Sequence, residues 1–146
     1  MPLRLTARKP EIAEDQGDTL AHGLRRRRRE LGLTRKQAAR QLGVDYKTLM
    51  WWELDERRPV ITLYPAIIAY LGYEPWPSPT TLAEALCAER RRHGLAVTQA
   101  AAKIGVDEGT WLRWERGEWK PTTSNLPRID QFLGFSAREA FRQEVR

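Results

Sequence analysis

Shifted by 62 residues, the chain lies on itself without a gap. Residues 19–73 pair with residues 81–135, and 23 of the 55 aligned positions are identical, where roughly three would match between unrelated sequences of ordinary composition. The matches include Arg28/Arg90, Gly32-Leu33/Gly94-Leu95, Gln37-Ala38-Ala39/Gln99-Ala100-Ala101, Gly43-Val44-Asp45/Gly105-Val106-Asp107, Trp52-Glu53/Trp114-Glu115 and Pro59/Pro121. Whatever one copy folds into, the other must fold into as well. A unit of about this length with its own apolar pattern is already near the size that folds alone. The expected organisation is therefore two small domains, residues 19–73 and 81–135, with a flexible N-terminal segment at 1–18, a linker at 74–80 and a C-terminal helix at 136–146.

Punctuation within each copy predicts four short helices. The first runs from a threonine cap, Thr19 or Thr81, to Gly32 or Gly94, each suited to the left-handed position after a helix. The second holds Gln37-Ala38-Ala39 or Gln99-Ala100-Ala101 and ends at Gly43 or Gly105, its small alanines letting a neighbouring helix approach closely. The third opens after Asp45 or Asp107, both good N-caps, and ends near Asp55 or Gly117 ahead of Pro59 or Pro121. The fourth opens after Thr62 or Ser124, tolerates Pro65 or Pro127 in its first turn, and closes at Gly72 or Gly134.

Between the copies, alternate prolines at 75, 77 and 79 oppose helix and favour an extended, fairly stiff strand of chain, which at ~3.1 Å per residue spans roughly 25 Å if fully extended. After the second copy, Ser136-Ala-Arg-Glu139 reads as a capping box opening a last helix with Ala137, Phe141 and Val145 along one side, able to dock on a repeat or on another chain. Residues 1–18 show no period, although Leu3-Arg4-Leu5 suits a short strand.

A net charge of +6 and a pI near 9.9 point to an anionic partner. The excess sits in one copy: residues 19–73 carry eleven basic and five acidic groups, residues 74–135 eight of each. No apolar run approaches the ~18 residues of a membrane span, and the N-terminus lacks the apolar core of a signal peptide, so cytoplasmic residence is expected. Cys87 is the lone cysteine; with two histidines it offers no metal site at ligand spacing, and neither metal nor cofactor is expected. No nucleophile with its base, carboxylate dyad or glycine-rich phosphate loop stands out, and the chain does not read as an enzyme.

Two short helices joined by a glycine turn, the second opening on a cap, form a helix-turn-helix pattern. Both copies resemble the Cro/C1-type (XRE-like) helix-turn-helix regulators. The resemblance rests on Arg28, Gly32-Leu-Thr34, Leu42-Gly-Val44, Thr48, Trp52-Glu53 and Pro59 in the first copy. In the second it rests on Arg90, Gly94-Leu95, Ile104-Gly-Val106, Thr110, Trp114-Glu-Arg-Gly117 and Pro121. Departures are mild: Ala38 and Ala100 replace a leucine, Ala96 a threonine, and Leu54-Asp55 an Arg-Gly pair. The resemblance implies an all-α fold of two tandem lambda-repressor-like helix-turn-helix bundles joined by the Pro-rich linker, plus the C-terminal helix. It also implies that Arg28 pairs with Glu53 and Arg90 with Glu115. Trp52, Trp114 and Trp111 are expected in the cores, Cys87 as a buried helix-one residue, His22 and His93 as ordinary surface groups, and the run Arg25 to Arg29 chiefly as a solvated face.

Family geometry sets the start of the third helix in the DNA major groove, which places Tyr46, Lys47 and Trp51 of the first copy, and Glu108, Gly109 and Arg113 of the second, at the reading positions; Trp51 fits covering a contact between the domains equally well. Arg113 is the strongest candidate for bidentate guanine contact; Glu108 either accepts from a cytosine amino group or simply stands in solvent. Phosphate contacts are expected from Thr34, Arg35, Lys36, Gln37, Thr48, Arg57 and Arg58, and from Thr98, Gln99, Thr110, Trp119 and Lys120. The expected function is a sequence-specific, double-stranded-DNA-binding transcriptional regulator using both third helices on an asymmetric site. The alternative keeps DNA binding in the first copy and makes the second copy, or the C-terminal helix, a homodimerisation or protein-interaction module. The resemblance fits a bacterial or phage setting, antitoxin and mobile-element regulators included, and nothing in the chain selects among these.

Overall fold

The computed structural model describes residues 16–145, and the expectations for residues 1–15, including the Leu3-Arg4-Leu5 strand, lie outside them. All regular structure among the described residues is helical. The chain divides into two compact units, with the boundary between Ser78 and Pro79.

The first unit contains α1 (Gln16–Glu30), α2 (Arg35–Leu42), α3 (Tyr46–Glu53) and, after a 3-10 turn at Ile61–Leu63, α4 (Tyr64–Leu71). The second contains α5 (Leu82–His93), α6 (Val97–Ile104), α7 (Glu108–Glu115), α8 (Leu126–Leu133) and a single turn, α9 (Ala137–Ala140), followed by a 3-10 turn at Arg142–Glu144. One difference concerns the start of helix one. In the second unit Thr81 caps α5, its hydroxyl accepting the Glu84 N–H at 3.1 Å. In the first unit the helix begins at Gln16, upstream of the expected Thr19 cap. Prolines explain the contrast: Pro77 and Pro79 bar helical backbone just ahead of Thr81, and nothing comparable precedes Thr19.

The two cores are the same core written twice. Leu20, Leu24, Ala38, Ala39, Leu42, Leu49, Trp52, Ile67 and Leu71 are buried in the first unit, and each has its counterpart 62 residues on in the second. Ala38 and Ala100 are both fully covered, so a longer side chain there would wedge the helices apart. The substitution that changes most volume is Leu49 to Trp111; both side chains are entirely buried. Trp111 is accommodated by an edge-on contact with Phe132, centroids 5.3 Å apart, and a tilted one with Trp114 at 6.2 Å.

The turn between second and third helices is made by Gly43 and Gly105, at φ 77° and 86°. After the third helix, Gly117 takes φ 73°, and Asp55 holds the same left-handed conformation at φ 58°, which aspartate tolerates better than most residues because its short side chain can bond locally.

The linker is less extended than its prolines predict. Pro75 is buried, the Trp76 ring meets Tyr64 edge-on at 5.9 Å, and the Tyr73 hydroxyl accepts from Arg26 at 2.9 Å. An aromatic ring beside apolar surface is worth more covered than held straight in water. The C-terminal segment also differs. Ser136 Oγ accepts the Glu139 N–H, but the helix stops after one turn, where Phe141 leaves helical backbone at φ −134°. That break lets Phe141 and Val145 follow the fully buried Ala137 onto the core of the second unit. Asp130 accepts the Ala137 N–H at 2.8 Å, and Glu144 accepts the N–H of Leu82, the first residue of α5, at 2.9 Å. The apolar side of this segment thus meets its own unit.

Candidate nucleic-acid interface

Each third helix is fixed from behind by a glutamate, fully buried at Glu53 and 11% exposed at Glu115. Arg28 grips Glu53 with Nε at 2.8 Å and Nη2 at 3.1 Å, and Arg90 grips Glu115 with the same two atoms at 2.6 and 3.0 Å. Both expected ties are thus present, and the fork geometry fixes the rotation of the helix as well as its position. The second donor to each carboxylate differs. Arg35 Nε donates to Glu53 at 3.0 Å, whereas in the second unit, where Val97 replaces that arginine, the Trp111 indole donates to Glu115 at 2.6 Å. Hydrogen bonds to Glu53 and then Tyr46 hold the Arg35 guanidinium above its ordinary pKa. For Arg90, burial pulls the pKa down, but the bond and charge of Glu115 outweigh it and the net direction is upward.

The run of arginines on α1 is a brace more than a solvated face. Arg25 donates to the Glu53 carbonyl, Arg26 to the Tyr73 hydroxyl, and Arg27 to the Tyr70 carbonyl at 2.9 Å. His93 also has more to do than expected: its Nε2 lies 2.7 Å from Glu89 Oε2 and its ring tilts against Phe132. His22 is exposed. Cys87 is half-buried, and burial pushes its thiol pKa up, which keeps it protonated.

The exposed first turns of α3 and α7 are held by aspartate caps. Asp45 Oδ1 accepts the Thr48 N–H at 2.8 Å and Asp107 Oδ1 the Thr110 N–H at 2.7 Å. Those backbone bonds hold both carboxyls below their usual pKa, with Arg113 adding to the effect on Asp107. A depressed folded-state pKa means the caps contribute fully above the unfolded value of about 3.9 and lose their contribution as pH falls through the folded value. Asp45→Ala and Asp107→Ala should therefore lower the thermal midpoint at neutral pH, and the gap from the parent should close on acidification. A gap that stayed constant down to about pH 2 in circular-dichroism melts would contradict this.

On the third helices, Tyr46, Lys47 and Glu108 are exposed, while Thr48, Trp51, Gly109, Thr110 and Arg113 are half-buried. Lys36 and Arg58 of the first unit and Thr98, Trp119 and Lys120 of the second are exposed. The geometry alters the part some expected phosphate ligands can play. The Arg35 guanidinium is engaged with Glu53. Gln37 and Gln99 use their carboxamide oxygens on the N–H groups of Thr34 and Ala96, both at 2.8 Å, leaving the amide nitrogen as donor. Thr34 completes a reciprocal capping box by accepting from Gln37 N, and Ala96, which has no side-chain acceptor, supports only the glutamine half.

One arrangement is invisible in either copy alone. The Arg57 guanidinium lies 4.0 Å over the Trp51 ring, and the Arg113 guanidinium lies 4.5 Å over the Trp119 ring. Positions 51 and 113 are equivalent, as are 57 and 119, so both units stack an arginine on a tryptophan at the same place with the two residue types exchanged. The signal is present in the alignment of the copies, as Trp/Arg opposite Arg/Trp, but it needs both columns read together.

Both compact units are helical, each with a capped and braced third helix, an arrangement consistent with helix-turn-helix bundles. Residues 81–141 match the family model for a helix-turn-helix domain, which supports a DNA-binding regulator of that class. No curated protein and no solved structure matches the chain. Among the described residues no helix is long and apolar enough to cross a membrane, and no group of three or more histidine, cysteine, aspartate or glutamate residues is placed to hold a metal ion.

Proposed function

We propose that the chain is a sequence-specific regulator of transcription of the Cro/C1 type that sets α3 and α7 in the major groove of double-stranded DNA, on a site with two dissimilar segments. The observation that carries this reading is the pair of third helices. Both are capped by aspartate, braced by an arginine-gripped glutamate and packed through the same core positions, yet they present Tyr46, Lys47 and Trp51 in one unit and Glu108, Gly109 and Arg113 in the other. A scaffold kept constant under divergent reading positions suits recognition of two different base sequences. The basic excess of the first unit, with Lys36, Arg57 and Arg58 exposed, suits phosphate contact and makes that unit the stronger binder. Joining two modest readers in one chain raises the effective concentration of the second once the first is bound.

The test is selection from random duplex DNA with the full chain, followed by salt-dependent affinities for Lys47→Ala and Arg113→Ala. Each change should weaken the selected site about tenfold to a hundredfold and relax preference in a different segment. Failure of the full chain to enrich any sequence removes the regulator reading. The second reading, in which the second unit contacts a protein partner or a second copy, is favoured by the exposed acidic pair Asp107-Glu108 at the start of α7, which repels phosphate. It takes over if Arg113→Ala leaves affinity and preference at parental values while Lys47→Ala abolishes binding.

A further inference from the structure

The exchanged arginine and tryptophan bear on how the second unit reads DNA, a role that rests on the DNA-binding function proposed above. In the second unit the arginine belongs to the helix. Arg113 leaves α7 one turn after Gly109 and stacks on Trp119, which stands on the loop after the helix and is 52% exposed. Gly109 leaves the room this requires: a Cβ there would come within 2.9 Å of Arg113 Nη1 and 3.4 Å of Asp107 Oδ1. The guanidinium is thus bounded by an open glycine backbone, the cap carboxylate and the indole face. An arginine free in solvent loses many rotamers when it forms a bidentate bond; one already stacked in a plane loses fewer.

The first unit has the reverse construction. Its tryptophan is on the helix, its arginine is on the loop, and the place of Gly109 is filled by Lys47. The cation therefore departs from outside the third helix, and the helix itself offers an ammonium, which bonds as a point charge rather than as a fork.

We infer that Gly109 and Trp119 are positioning residues that present Arg113 as a pre-oriented fork to a guanine in the second unit's segment of the DNA site, and that the first unit reads its own segment without an arginine on the helix. Both positions can be altered without touching the core. Trp119 is largely exposed, and an added Cβ at Gly109 displaces only the end of a flexible side chain while raising helix propensity.

The experiment compares the full-length parent with Trp119→Ala, Trp119→Phe and Gly109→Ala in selection from random duplexes. Competition against duplexes changed one base pair at a time then measures discrimination at each position. The parent should select a fixed guanine in one segment. Trp119→Ala and Gly109→Ala should lower discrimination for that guanine about tenfold, with the other segment's preferences intact, and Trp119→Phe should restore most of it. Gly109→Ala should do this with a thermal midpoint equal to or above the parent's, which a simple loss of folding cannot produce. Unchanged discrimination in both Trp119→Ala and Gly109→Ala, or a loss spread evenly over all positions, overturns the inference and leaves the DNA reading standing. Absence of any selected sequence with the parent overturns both.

Discussion

Glu53→Ala should take about 3 kcal/mol from the stability of the first unit while the second keeps its parental stability. The Glu53 carboxylate has no solvent exposure and takes three charged hydrogen bonds, from Arg28 at 2.8 and 3.1 Å and from Arg35 at 3.0 Å. Removing it leaves two guanidiniums facing each other across a space without counter-charge. Breaking a buried pair in this way costs about 3–5 kcal/mol. Arg28 and Arg35 retain 19% and 29% exposure, which lets water reach them and puts the expected loss near the lower end, about 3 kcal/mol. A bundle of about 60 residues holds only ~3–9 kcal/mol in total. Amide hydrogen exchange of the full chain should show the most protected first-unit amides exchanging about a hundredfold faster at room temperature while those of the second unit keep their parental rates. Glu53→Gln, which keeps the shape and removes the charge, should fall between. Parental exchange rates in the alanine variant would mean that the carboxylate orients α3 without stabilising it.

Trp111→Leu should be the most damaging exchange between the copies, although leucine is what the first unit carries at this place. The indole is fully buried, rests on Phe132 and Trp114, and donates to Glu115 at 2.6 Å. Leucine leaves a void and takes away one donor from a carboxylate that is itself only 11% exposed. The two losses together cost about 2–4 kcal/mol. The first unit shows the remedy, because its leucine is accompanied by Arg35, which supplies the missing donor. Adding Val97→Arg to Trp111→Leu should therefore recover about 1 kcal/mol, whereas Val97→Arg alone should cost stability, since Val97 packs on the core and Trp111 already holds the carboxylate. Chemical denaturation of the four members of the cycle measures the coupling. A cycle that sums to zero would show that the two positions do not share the glutamate.

These two positions also mark how far the sequence could be read. The aspartate caps and the glycine turns were legible because each is a short-range pattern that appears twice, and repetition separates pattern from accident; the Arg28–Glu53 and Arg90–Glu115 ties span 25 residues and were expected only from the family resemblance. The second donor to each glutamate was not legible, since an arginine on one helix and an indole on another do the same work from unrelated positions. Arg35 accordingly looked like a phosphate ligand, where the structure engages it with Glu53. The arginine run on α1 looked like a solvated face because charge composition does not reveal that the carbonyls of Glu53 and Tyr70 and the Tyr73 hydroxyl come within its reach. The bends at Trp76 and Phe141 were not legible for one reason: both rings find cover beside apolar neighbours, and that preference exceeds the local dictates of proline spacing or a capping serine. Around the third helices the relationships between side chains were not legible; the stacking of Arg113 on Trp119 became visible only beside its mirror in the other copy.

The bond from Leu82 N–H to Glu144 joins the first residue of α5 to a residue near the end of the second unit. An amide at the start of a helix ordinarily exchanges its hydrogen early, because the first turn frays without disturbing anything else. Here fraying of α5 has to release the chain's last described turn, and detachment of that turn exposes the Leu82 amide. Opening at the two ends of the unit becomes a single event, so the Leu82 amide should exchange together with the Phe141 amide and more slowly than its place at a helix terminus suggests. A fragment ended at residue 135, where the repeat itself stops, would lack this closure, and its slow-exchanging core would shrink from the α5 end as well as from the cut.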